Sequence, residues 1–154
     1  MLYFDSSALI KRYVHETGSE TIGHKLTNEQ KASKPVFTSV LTFAEIQAAL
    51  SRRAKDNSLA PREYARVRTT FESDWVLGLT PIDLGPAVLS IVRGVVDQFV
   101  LKGADVVHLA SAIWLRDLAS LNVREAVCFL TSDIQLAKAA AKSHLEVFNP
   151  ESGN

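Results

Sequence analysis

Hydrophobic positions in this chain follow two rhythms. Short, mostly apolar runs occur at 2–4 (LYF), 36–39 (VFTS, after Lys34-Pro35), 128–131 (CFLT) and 145–148 (LEVF, before Asn149-Pro150), and each reads as a short buried strand. A weaker strand signal covers 74–82, DWVLGLTPI, where Gly78 and Pro81 limit its extent. Between these runs apolar residues recur with a period near that of a helix, which predicts helices over 6–13, 19–31, 42–55, 61–73, 85–99, 104–120 and 133–143. Strands that alternate with helices need crossover connections, and these build a parallel sheet covered on both faces. The expected fold is therefore α/β, a three-layer α/β/α sandwich around a small central parallel β-sheet. Ligands of such sheets bind beyond the carboxyl ends of the strands.

The totals narrow the class. A chain of 154 residues is the size of one domain, expected here over 1–150 with 151–154 as a short tail. With 47% hydrophobic and 22% charged residues it has the composition of a folded globular protein, and no apolar run is long enough to cross a bilayer. Met1 to Phe4 carries no positive charge and meets Asp5 at once, unlike a secretory leader, so no membrane association and a cytoplasmic location are expected. The single cysteine, Cys128, excludes an internal disulfide and a cysteine-based metal site, and reads as a buried strand residue. Trp75 and Trp114 read as core or interface residues.

Seventeen basic and seventeen acidic residues cancel, so net charge gives no attraction to nucleic acid. Their distribution is uneven. Arg52, Arg53, Lys55, Arg62, Arg66 and Arg68 stand against Asp56 and Glu63 alone, which makes the middle of the chain locally cationic.

Four acids share one kind of position. Asp5 ends the first strand, Glu45 lies early in the helix after the second, Asp105 follows Gly103 at the start of an apolar helix, and Asp133 directly follows the CFLT strand. Each has a structural alternative. Asp5 can cap a helix, Thr42-Phe43-Ala44-Glu45 matches a capping box, Asp105 suits a helix dipole, and Ser132 or Asp133 can cap the last helix. Four carboxylates gathered at one sheet end would repel and raise one another's pKa unless a cation sat among them. A hard divalent cation with oxygen ligands meets that need, and it can activate water against a phosphodiester. No Cys/His cluster has zinc spacing.

With these residues in place the chain resembles the PIN-domain proteins, specifically the VapC toxins of bacterial and archaeal toxin–antitoxin pairs. The resemblance runs from YFDSSALIKRYVHETGSE through TSVLTFAEIQAAL and KGADVVHLASAIW to FLTSDIQLAKAA, and only 59–100 carries no motif. It implies that Asp5, Glu45, Asp105 and Asp133 are the catalytic, metal-binding acids of a Mg²⁺- or Mn²⁺-dependent endoribonuclease. It also implies a cognate antitoxin whose tail occupies the catalytic groove, and a homodimer. A small hydroxyl residue beside the first acid belongs to the site in that family, which points to Ser7 over Ser6; Thr131 and Ser132 are candidates for the same support. Lys11, Arg12, Arg52 and Arg53 are candidate contacts to RNA phosphates, or to an acidic antitoxin tail. His108, one helical turn after Asp105, reads as a hydrogen-bonded structural histidine, with a general base as the alternative.

Rival readings fit less well. A phosphoacceptor receiver domain needs paired acids after the first strand and a late lysine, and a haloacid-type phosphatase needs an acid where Ser7 stands. The rival of another class is a catalytically inactive PIN-like module that binds RNA or protein without turnover.

Overall fold

A computed structural model describes residues 1–122 and 125–152. The elements run β1 (Leu2–Phe4), α1 (Ser6–Leu9) continued by a 3₁₀ turn (Ile10–Arg12), α2 (Ser19–Lys31), β2 (Val36–Ser39), α3 (Leu41–Lys55), α4 (Pro61–Leu77), β3 (Thr80–Ile82), α5 (Pro86–Gln98), α6 (Gly103–Asn122), β4 (Cys128–Leu130), α7 (Ile134–Lys142) and β5 (Glu146–Phe148). The five strands form one sheet in the order β3-β2-β1-β4-β5. Every neighbouring pair is parallel. This is the three-layer α/β/α arrangement that the alternation of elements implies.

Successive side chains of a strand point to opposite faces, and here each face meets its own core. Tyr3 of β1 and Phe129 of β4 join the core made with α5, α6 and α7, including Val88, Leu109 and Leu136. Phe4 and Leu130, one residue further along the same strands, join the core made with α1 to α4, including Leu9, Ile22, Ile46 and Phe71. Because both faces are buried, β1 and β4 are apolar throughout rather than alternating.

Two sequence expectations are corrected. Residues 74–77 of the proposed strand belong to the end of α4, which stops at Gly78; only 80–82 is strand. Pro81 sits there without cost to the sheet because β3 is an edge strand. The helix expected over 6–13 is a single α-turn that tightens to 3₁₀ geometry. Residues 151 and 152 of the expected tail are described, and Glu151 is tied to the domain through Lys11; 153 and 154 lie outside the described residues. Gly18, which precedes α2, has φ +88°, and a Cβ there would lie 2.7 Å from the Pro150 carbonyl oxygen, so only glycine admits this close approach.

Candidate active site

Parallel strands put their carboxyl ends on one side of the sheet, and β1 ends at Phe4, so Asp5 is delivered to that edge. It is only 3% exposed. Its Oδ1 accepts the Ala8 backbone N–H at 2.8 Å, capping α1. Ser7 Oγ donates to both carboxylate oxygens, at 2.8 and 2.9 Å, and Thr131 Oγ1 donates to Oδ2 at 2.7 Å. Each carboxylate oxygen thus accepts two hydrogen bonds, which fixes the orientation of the group. Burial pushes the Asp5 carboxyl above the usual range, against the opposing pull of His108, Thr131, Ala8 and Ser7.

The turn after β4 is stitched to the same place. Thr131 Oγ1 accepts the Asp133 N–H at 3.0 Å, and Ser7 Oγ accepts the Ser132 N–H at 2.9 Å. Asp133 caps α7 by accepting the Leu136 N–H at 2.8 Å. Ser7 is thus the serine bonded to Asp5, while Ser6 lines the adjoining cleft. Ser132 Oγ is buried and has no hydrogen-bond partner among the described residues.

Glu45 and Asp105 come from the two helices that flank the edge. The capping box read from Thr42 to Glu45 is corrected: α3 begins at Leu41, so Thr42 lies inside it. Its hydroxyl lies 2.7 Å from Thr38 Oγ1, which itself donates to the Phe4 carbonyl at 2.8 Å. Glu45 is therefore not a capping residue, and its Oε2 lies 2.8 Å from His108 Nε2. Asp105 stands in the first turn of α6. Burial and the neighbouring charge of Asp133 push its carboxyl up, while Lys102 and His108 pull it down.

A cleft of about 620 Å³ opens here, and its lining includes Ser6, Ser7, Glu45 and Ser132 together with Arg52, Arg53, Lys11 and Glu16. The candidate cations divide. Arg52 is exposed on the cleft. Arg53 pairs with Glu16 at 2.6 Å. Lys11 is not free for phosphate: its ammonium is buried between Glu16, at 3.0 Å, and Glu151, at 2.8 Å. Arg12 points elsewhere, 3.7 Å from Asp74, and does not line the cleft. Cys128 is half-buried, and burial raises its thiol pKa, so it is no activated nucleophile. Trp75 packs on Phe43 and Phe71, and Trp114 on the α5–α6 core.

The four acids share one end of the sheet but not one tight cage. Among the described residues, no three His, Cys, Asp or Glu side chains converge closely enough to hold an ion between them. They stand instead as linked parts: Asp105 against Asp133, Glu45 on His108, and Asp5 on Ser7 and Thr131. This donor set is wholly oxygen, and the Asp105–Asp133 repulsion is of the kind a cation relieves. Mg²⁺ takes one or two carboxylates directly and keeps several waters. Asp105 and Asp133, completed by waters, fit such an ion.

Fold and edge chemistry together define a PIN-like α/β/α domain. No family model matches the chain. Over 117 residues it is 32% identical to Ribonuclease VapC45 of Mycobacterium tuberculosis (strain CDC 1551 / Oshkosh), covering 76% of this chain and 78% of the relative. The same figures hold for Ribonuclease VapC49 of strain ATCC 25618 / H37Rv. The chain belongs to the VapC ribonuclease family. Two solved structures share the fold at a TM-score of 0.62, each covering 97% of this chain and 98% of the other: VapBC2 from Rickettsia felis bound to a DNA fragment from their promoter, at 16% identity, and FitAcB from Neisseria gonorrhoeae, at 13%. Among the described residues no helix is long and apolar enough to cross a membrane.

Proposed function

We propose that the chain is a Mg²⁺-dependent endoribonuclease, with Mn²⁺ as a possible substitute, and the toxin of a toxin–antitoxin pair. The observation that carries this reading is the gathering of acids where β1 and β4 end: Asp5 and Asp133 just after those strands, Asp105 near enough to Asp133 for its charge to raise the Asp105 carboxyl, and Glu45 tied to α6 through His108. Membership of a family whose relatives are ribonucleases supports RNA as the substrate. Asp5, Glu45, Asp105 and Asp133 are the residues that would hold the ion. When bound, it would lower the pKa of a coordinated water and neutralise charge on the phosphodiester.

The chain's own residues do the positioning. Ser7 and Thr131 fix both oxygens of Asp5. Asp133 is locked in place by the helix it caps. Arg52, exposed on the cleft wall, meets phosphates and offsets their repulsion from the acids. A cognate antitoxin tail competes for that cleft, and the chain acts as a cytoplasmic homodimer of a single domain spanning 1–150.

The decisive experiment incubates antitoxin-free protein with total cellular RNA in Mg²⁺, Mn²⁺ or EDTA. Cleavage with either ion and none in EDTA is expected. Cleavage that persists in EDTA removes the metal from the reading. A folded protein inert with both ions favours a binding module, the outcome that the spread of the carboxylates would then explain.

A further inference from the structure

A buried hydrogen-bond chain runs from the core to the cleft through a residue that the reaction as described does not use. His108 lies on α6 and is 1% exposed, yet both ring nitrogens have partners. Nδ1 lies 3.1 Å from the Tyr3 hydroxyl, and Nε2 lies 2.8 Å from Glu45 Oε2. A carboxylate offers only lone pairs, so Nε2 must carry a proton and donate it. The neutral ring then presents a lone pair at Nδ1, which the Tyr3 O–H fills. One proton on the imidazole satisfies both bonds: the Glu45 carboxylate sets the tautomer, and Tyr3 anchors the ring from the core side.

The ring is also held in place. Tyr3 meets His108 edge-on, with centroids 6.1 Å apart, and stacks on Phe129 at 5.3 Å. The sequence β4, β1, α6, α3 is thereby connected through Phe129, Tyr3, His108 and Glu45. Glu45 itself lines the cleft, so His108 grips its carboxylate from behind. Strand β1 therefore contributes twice: Asp5 directly, and the orientation of Glu45 through Tyr3.

We propose that His108 is a positioning residue for Glu45 and that Tyr3 anchors its ring from the core side, so that removing either loosens divalent-cation binding without touching the RNA contacts. This rests on the metal-dependent nuclease reading above. Partners of this kind change metal affinity or activity by about 10–100-fold when lost.

The test uses the full, antitoxin-free chain and its His108→Leu, His108→Gln and Tyr3→Phe variants. Mn²⁺ affinity is measured by calorimetry, and RNA cleavage is followed against Mn²⁺ concentration with kcat and KM separated. His108→Leu is expected to weaken Mn²⁺ binding at least about tenfold while leaving KM for RNA unchanged. His108→Gln, which keeps an N–H for Glu45, is expected to recover most of the loss. Tyr3→Phe keeps the core shape and is expected to weaken Mn²⁺ binding to an intermediate extent. Wild-type Mn²⁺ affinity in folded His108→Leu overturns the proposal, as does equal loss in His108→Leu and His108→Gln. Should His108→Leu fail to fold, unchanged Mn²⁺ affinity in Tyr3→Phe overturns it. A wild-type chain that neither binds Mn²⁺ nor cleaves RNA brings down the nuclease reading itself, a result distinct from a failure confined to the variants.

Discussion

Asp5 caps a helix and stands in the candidate site, and the two roles make different demands on one side chain. Capping needs an oxygen for the Ala8 N–H; the site needs a negative charge. Asp5→Asn separates them, because the amide keeps an oxygen while the Ser7 and Thr131 hydroxyls can turn to accept its N–H. Cleavage is expected to fall about a hundredfold or more, the scale of losing one electrostatic contributor, with little change in melting temperature. Full activity would detach Asp5 from the site. A second expectation concerns pH. Burial raises the carboxyls of both Asp5 and Asp105, so the folded chain holds those protons more tightly than the unfolded one. Their stabilising contribution is complete below the ordinary carboxylate pKa and is lost as pH rises through the raised values. In EDTA, melting temperature should therefore fall across that interval, and Asp105→Asn should flatten the fall; an unaltered profile would contradict the assignment. The acids themselves were legible in the sequence because each follows a strand or a glycine turn. Ser7 and Thr131 were reached only through the family resemblance, and the partner of Glu45 was not reached at all, because its bond to His108 spans 63 residues.

At the level of elements, most helices and strands follow from apolar spacing, and the exceptions have tertiary causes. Residues 74–77 look strand-like on apolar content, but Trp75 packs on Phe43 and Phe71, and Asp74 accepts the Tyr13 hydroxyl at 3.1 Å. Those contacts carry α4 on to Leu77. Thr42 and Glu45 have capping-box spacing, but the helix starts two residues too early for the box to form. The cationic stretch splits in the same way. Arg52 and Arg53 fall in the last turn of α3, where cations favour the helix dipole, while Arg66 and Arg68 on α4 pair with Glu63 and Glu72. Only the first pair lines the cleft. Arg52→Ala is accordingly expected to weaken RNA binding and to reduce the slope of log affinity against log salt by about 0.7, the single-strand value for one phosphate contact. Arg66→Ala, off the cleft, serves as the comparison, and equal slopes for the two variants would return Arg52 to a solvated surface role.

Across the whole molecule, two cores share one sheet and neither can lose its strands without exposing the other. The two tryptophans report on opposite sides: Trp75 packs against the α1–α4 core and Trp114 against the α5–α7 core. Urea transitions followed by Trp75 fluorescence in a Trp114→Phe variant should coincide with that variant's far-UV circular dichroism transition, and the reciprocal variant should behave alike. Separated midpoints would divide the single domain. The strand order adds a constraint in time. β1 precedes the other four strands of the sheet in the chain, yet it lies between β2 and β4, and the bond from Thr131 to Asp5 joins residues 126 apart. On a ribosome adding about 5–20 residues per second, β1 must wait several seconds for that neighbour. A nascent chain that has not yet reached β4 and Asp133 therefore keeps its acids scattered, and the site comes into being only once those residues have followed.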